Sequence, residues 1–395
     1  MNRLAAAGLV VLFALIPLYG TLAVLDPARP PIPAVVPRPA AAAIGVIAVL
    51  ALLSVVPGAW RTCRRDLLTL AFLAPGGATI LAGLTGFDPV FGIGLGLMVT
   101  GVGAAGLVVA RALDAAAVRL CLRTFLWSGM LAALAAIAMT VSRHPSALYA
   151  YDNGRVVGTF LNPNELAAYT LIALGVALPL AAASRGRDRL AVAAAAVMAI
   201  TLAATFSRWG IFSAVCGLAI YALLTRARVL LGAAVAVALA GLAINLGPGA
   251  LHHNPRDTQA REVAWRTGLT TFERFPLLGV GPLAFPRLYD ELRPPQAPGR
   301  ATPVAFDPHS LPLAFAAEGG VVAVVTLTAS FWIVLSRVLR AGRDARPVPR
   351  ALAFGLASAL VALLIDGGIN TIILFFPLGL QVVPLALAVV RTDAR

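Results

Sequence analysis

Three residues stand where their chemistry is out of keeping with their surroundings. Arg261 falls on the apolar side of a helical pattern running from Gln259 to Phe275, with Trp265 one turn further along. A guanidinium placed there needs a partner. It either snorkels to lipid phosphates or presents a forked donor to a bound phosphate or pyrophosphate. Arg208 sits in Ser207-Arg208-Trp209-Gly210, where the turn between two apolar blocks is almost absent. An ionisable side chain held at or just below a membrane surface is a candidate site residue; the plainer alternative is an interface arginine beside an interfacial tryptophan. His309 follows Asp307-Pro308. With Asp307 as the cap and Pro308 opening a helix, His309 falls in the first turn, where the helix start favours the neutral ring. A neutral imidazole can take a proton from a hydroxyl; otherwise this is a histidine hydrogen-bonded at a helix end.

Further polar groups accompany these three. Asn162-Pro163-Asn164 is a clean helix start, with Asn162 as the cap. Arg155 in the preceding loop is either a phosphate contact or ordinary loop charge. Glu318 lies nine residues beyond His309, as a partner of the site or of a neighbouring arginine. Asp366 and Asn370, in LLIDGGIN, either line the site or pack as a buried pair. Within the 259–275 helix, Ala264, Gly268, Leu269, Phe272 and Phe275 share the face of Arg261 and Trp265, with Val263 as the exception; Arg266 and Arg274 belong to the solvated face. The adjacent His252 and His253 have no third ligand, and no metal site is expected. Gly279-Val280-Gly281 lacks the strand, third glycine and helix of a dinucleotide fold.

The elements that must position these groups follow from composition. The 395 residues are 60% hydrophobic and 12% charged, which excludes a soluble globular domain and makes this an all-α polytopic membrane protein. Twelve spans are expected, near residues 4–25, 40–57, 66–85, 89–110, 120–141, 164–183, 188–206, 209–224, 229–247, 309–336, 350–369 and 372–390. The first reads as a retained helix, since its apolar run is long and has no small-x-small cleavage site. The whole chain, 1–395, reads as a single membrane domain, and the one long polar interval, 248–308, as a partly helical lid between the ninth and tenth spans.

All 31 basic residues are arginine. With the N-terminus inside, 19 of them fall in cytoplasmic segments against 5 in the short outward ones. Both termini are then cytoplasmic and the lid faces outward. This arginine bias accounts for the net charge of +14 without nucleic acid. Cys63, Cys121 and Cys216 are far apart and form neither a disulfide framework nor a metal motif.

The outward motifs, in order, resemble the O-antigen ligase and O-antigen polymerase superfamily of bacterial membrane glycosyltransferases. The resemblance rests on Gly158-Thr159-Phe160-Leu161-Asn162-Pro163-Asn164, Ser207-Arg208, Arg261 with Trp265, Pro276-Leu277-Leu278-Gly279-Val280-Gly281, His309-Ser310 and Glu318-Gly319. It covers roughly residues 158–325; Trp209 departs from the small residue more usual at that place. The resemblance implies about twelve spans, a large periplasmic loop between the ninth and tenth, and residence in the inner membrane. It also implies transfer of a glycan from undecaprenyl diphosphate to a hydroxyl of a glycan, lipid A-core or protein, with inversion and without cofactor, nucleotide sugar or metal. Arg208 and Arg261 would hold the diphosphate, and His309 would be the base or orient the acceptor. Arg155, Asn162, Asn164, Trp265, Glu318 and Asp366 would line the substrate site. Polymerases and protein O-oligosaccharyltransferases share the motifs; the single dominant outward loop favours the ligase type. A transporter of polyprenyl-linked glycans would instead place ionisable groups near the midplane, where these spans carry almost none.

Overall fold

The computed structural model describes residues 3–18, 38–144, 154–247, 255–295, 305–370 and 375–393. They form fourteen α-helices and no strand. The helices are α1 (Arg3–Leu15), α2 (Arg38–Thr62), α3 (Leu67–Thr85), α4 (Pro89–Ala112), α5 (Ala115–Ser142), α6 (Pro163–Ala183), α7 (Arg189–Ala204), α8 (Arg208–Thr225), α9 (Arg228–Leu246), α10 (Pro255–Arg274), α11 (Phe285–Leu292), α12 (Leu311–Arg343), α13 (Pro347–Gly367) and α14 (Phe375–Asp393). Eight are long and apolar enough to cross a membrane: α2 to α6, α8, α12 and α13. The other four expected spans overlap shorter apolar helices, Arg3–Leu18, Arg189–Ala204, Arg228–Ala243 and Val382–Thr392. His252 and His253 lie outside the described residues.

α13 is the centre of the bundle. It packs against α6, α8, α12 and α14, and 67% of its apolar window is buried, against 17% for α2 at the rim. Small residues allow this crowding. A Cβ on Gly355 would strike Pro179 of α6, and one on Gly217 of α8 would come 3.1 Å from Ala362. Close backbone approach through small residues is how membrane helices gain packing where lipid is as apolar as the side chains.

The polar interval folds onto this bundle through α10 and α11, which bury Val263, Ala264, Phe285 and Tyr289 against Ala305 and Ala317. The apolar face of α10 is rotated from the one expected. Val263, Ala264, Thr267, Gly268 and Thr271 face inward, whereas Leu269 is 50% and Phe275 39% exposed. Two threonines can line a packed face because each hydroxyl donates to the carbonyl one turn back, Thr267 to Val263 (2.7 Å) and Thr271 to Thr267 (2.8 Å). Arg266 and Arg274 are solvated as expected, paired with Glu262 (2.6 Å) and Glu291 (3.3 Å).

Between α10 and α11, residues 276–282 form a strap that enters a break in α12. Gly320 has φ 62° and ψ −164°, so the helix cannot close its hydrogen bonds across that residue. The strap replaces them. Val280 and Gly281 donate to the carbonyls of Ala317 and Glu318 (both 3.0 Å), while Val321 and Val322 donate to Pro276 (2.8 Å) and Leu277 (3.4 Å). Those are the two donors and two acceptors that an unbroken helix would pair with each other. On its other edge the strap meets the α3–α4 turn: the Phe87 amide donates to Val280 (3.2 Å), and a Cβ on Gly86 would lie 2.6 Å from the Gly281 Cα. The Gly279-Val280-Gly281 run is therefore a seam between backbones. A Cβ on Gly279 would fall on the Glu318–Gly319 peptide, and one on Gly320 on the Leu277–Leu278 peptide.

Gly279→Ala and Gly320→Ala should each destabilise the detergent-solubilised protein by about 1–3 kcal/mol, since both add a clash and force a left-handed backbone on alanine. Gly77→Ala and Gly94→Ala, whose added methyls meet nothing within 4 Å, should leave the melting temperature unchanged or raised. A thermal-shift series on the four variants checks this.

Candidate active site

Two clusters of polar side chains form where helices start and end. The first joins the starts of α6 and α8. Asn162 caps α6 through the Asn164 amide (2.8 Å), and Ser207 caps α8 through the Gly210 amide (3.3 Å). Asn164 is the hub: its Oδ1 accepts from Ser207 Oγ (2.9 Å) and from the Arg155 guanidinium (3.2 Å), whose Nε donates to the Thr205 carbonyl (2.8 Å). Arg155 therefore ties its loop to the turn that carries Arg208. Arg208 itself is the first residue of α8, exposed, and has no hydrogen-bond or ion-pair partner among the described residues.

The second cluster joins α10, the turn before α12 and the end of α13. Arg261 donates to the Ile369 carbonyl (3.1 Å) and to Asn370 Oδ1 (3.2 Å). Asn370 Nδ2 donates in turn to Asp366 Oδ1 (2.9 Å), and Asp366 is fully buried. One turn along α10, Trp265 Nε1 donates to the His309 carbonyl (3.3 Å). A Cβ on Gly268, also on α10, would lie 3.0 Å from Pro308 Cβ, so this helix lies close against the His309 turn. Arg261, Trp265, His309, Asn370 and Asp366 thus form one connected line.

One expectation is corrected. His309 is not in the first turn of α12. The helix begins at Leu311 with Ser310 as its cap and Pro312 in its first turn, and His309 precedes the cap in a left-handed conformation (φ 50°). The Asp307 carboxylate, expected to cap the helix, accepts the His309 amide instead (2.7 Å), the short turn that aspartate forms with the residue two positions on. Asp307, read from sequence only as a helix cap, is thereby placed beside His309. Asp-Pro-His is compatible with either a cap or this turn, and only the place of Pro312 decides between them.

Packing brings the clusters to one level. Gly217 of α8 touches Ala362 of α13, and from that contact Arg208 and Asn370 each lie roughly 12–14 Å further along, at 1.5 Å per residue. Gly210 of α8 also packs on Ala167 of α6, at 2.7 Å for an added Cβ. Glu318 is buried at the break in α12, its carbonyl held by the strap. Glu165, in the first turn of α6, is a third buried carboxylate besides Asp366 and Glu318 and was not singled out from sequence. Among the described residues no group of three His, Cys, Asp or Glu is placed to share a metal ion.

The helices and their apolar composition define the class as an all-helical membrane protein. Residues 193–328, about a third of the chain, match the family model described as O-Antigen ligase, a likeness that supports the O-antigen ligase superfamily over that region. The matched region holds Arg208, Arg261, Trp265, His309 and Glu318; Arg155, Asn162, Asn164 and Asp366 lie outside it. A comparison with curated proteins returns no match.

Asn164→Ala removes the shared acceptor of Arg155 and Ser207, two hydrogen bonds worth about 2 kcal/mol together. Local opening of the 155–164 segment should rise at least tenfold, read as faster tryptic cleavage after Arg155 in detergent. An unchanged cleavage rate would remove Asn164 as the hub.

Proposed function

We propose that this protein transfers a glycan from an undecaprenyl-diphosphate donor to a hydroxyl acceptor at the outer face of the cytoplasmic membrane, as a ligase-type enzyme. In this reading all twelve apolar helices cross the bilayer, both termini are cytoplasmic, and α10 and α11 form a periplasmic lid. The arginine asymmetry supports that orientation. The observation that carries the reading is Arg208: an exposed guanidinium without a partner among the described residues, at a helix start, level with the end of α13 to which Arg261 is bound.

Fixed guanidinium groups suit the leaving group. As the bond from the anomeric carbon to the diphosphate oxygen breaks, its electron pair passes to the diphosphate, and Arg208 and Arg261 stabilise the added charge. The start of α8 adds its own positive end. His309 takes the proton of the acceptor hydroxyl as that oxygen bonds to the anomeric carbon from the opposite side, which inverts the configuration. Trp265 holds the His309 turn from α10, so the residue that fixes the base and one diphosphate-binding arginine share a single helix. Arg155, Asn162 and Asn164 shape the Arg208 side of the site. Asp366 acts through Asn370 to aim Arg261, and Glu318 lies buried beside the break in α12.

Arg208→Ala, Arg261→Ala and His309→Ala should each lower transfer by about 100-fold or more at normal membrane levels of the protein. Arg266→Ala and Arg274→Ala should stay within about twofold, because their partners are exposed surface carboxylates. The assay supplies undecaprenyl-diphosphate glycan and separate glycan, lipid A-core and peptide acceptors, and scores the glycosylated product. Equal losses in all five variants would sink the assignment.

A further inference from the structure

His309 is restrained at three points. Its amide donates to Asp307 Oδ1 (2.7 Å), its carbonyl accepts from Trp265 Nε1 (3.3 Å), and its Nδ1 lies 3.5 Å from that same Asp307 oxygen. The backbone is left-handed at φ 50°, a conformation that a side-chain-bearing residue keeps only when its surroundings enforce it. The ring is 40% exposed, and among the described residues nothing bonds to Nε2. The separation at Nδ1 is within ion-pair reach and about half an ångström beyond a hydrogen bond, as such contacts often are without substrate.

We propose that Asp307 is the positioning residue for His309. By accepting a hydrogen bond from Nδ1–H it fixes the ring and its tautomer, which leaves the lone pair of Nε2 for the acceptor hydroxyl. This rests on the reading of His309 as the base. In the step itself the hydroxyl proton moves to Nε2, the hydroxyl oxygen bonds to the anomeric carbon, and the bond to the diphosphate breaks with its electrons on the leaving group. The imidazolium formed then has Nδ1–H directed at an ionised carboxylate, and Asp307 keeps its charge throughout. Asp307 also holds the turn through the His309 amide, so one side chain sets both where the ring sits and which nitrogen is basic.

The test uses the full chain in nanodiscs, with His144, His252 and His253 replaced so that one labelled imidazole remains. Asp307→Ala should lower kcat about 10–100-fold with KM for the donor within about twofold. The ¹⁵N spectrum should move from the Nδ1–H to the Nε2–H tautomer. Asp307→Asn, which keeps an acceptor for both N–H groups, should retain the tautomer and recover part of kcat. Wild-type kcat and tautomer in Asp307→Ala, alongside an inactive His309→Ala, would overturn the positioning role alone. An active His309→Ala would instead overturn the base assignment, and this proposal with it.

Discussion

The exchange of backbone hydrogen bonds between the 276–282 strap and the break in α12 is the constraint from which the rest follows. A helix interrupted inside a membrane protein leaves two amides and two carbonyls that lipid cannot satisfy. Here a segment of the polar interval supplies the missing partners one for one. Neither part is complete alone: α12 needs the strap to close its gap, and the strap has no regular structure apart from α12. The effect is to fasten α10 and α11 to the bundle at a fixed height. Arg261 and Trp265 can then reach the end of α13 and the turn before α12 without a hinge between them.

A second regularity appears where helices start at this end. Leu161, Phe206 and His309 are all left-handed, and each immediately precedes the cap of a helix: Asn162 for α6, Ser207 for α8 and Ser310 for α12. Three non-glycine residues in that conformation are a cost that packing and hydrogen bonding must offset. Each turn bends the chain sharply into its helix and leaves a candidate site residue beside the helix start: Asn164 for α6, Arg208 for α8 and His309 for α12. All three helices pack on α13 or on α13 and each other, so their starts are held around its end.

The apolar blocks were readable because a span needs nothing more than length and composition; eight of the twelve are helices long and apolar enough to cross a membrane, and the other four overlap shorter apolar helices. Arg208 and Arg261 were readable as oddities, since a charge among apolar neighbours is visible in one dimension. The face of α10 was misplaced because Thr267 and Thr271 count as polar in a pattern yet become nearly apolar once their hydroxyls return to their own helix. The glycines at 279 and 281 were legible as part of a motif and not as a nucleotide loop, but their close approach to Glu318 and Gly86, which are distant in sequence, was not. The place of His309 was wrong by one turn's logic, a cap and a short aspartate turn being the same letters. What sequence lacked in each case was the partner.

The central claim is that Arg208 and Arg261 grip one diphosphate with His309 facing the carbon it leaves. The most direct measurement is a cryo-electron microscopy structure of the protein in nanodiscs with a non-transferable undecaprenyl-diphosphate glycan. The account predicts diphosphate density bridged by both guanidinium groups, with the first sugar directed at His309 Nε2. Density bound by the exposed Arg266 and Arg274, or a diphosphate touching neither Arg208 nor Arg261, would contradict it.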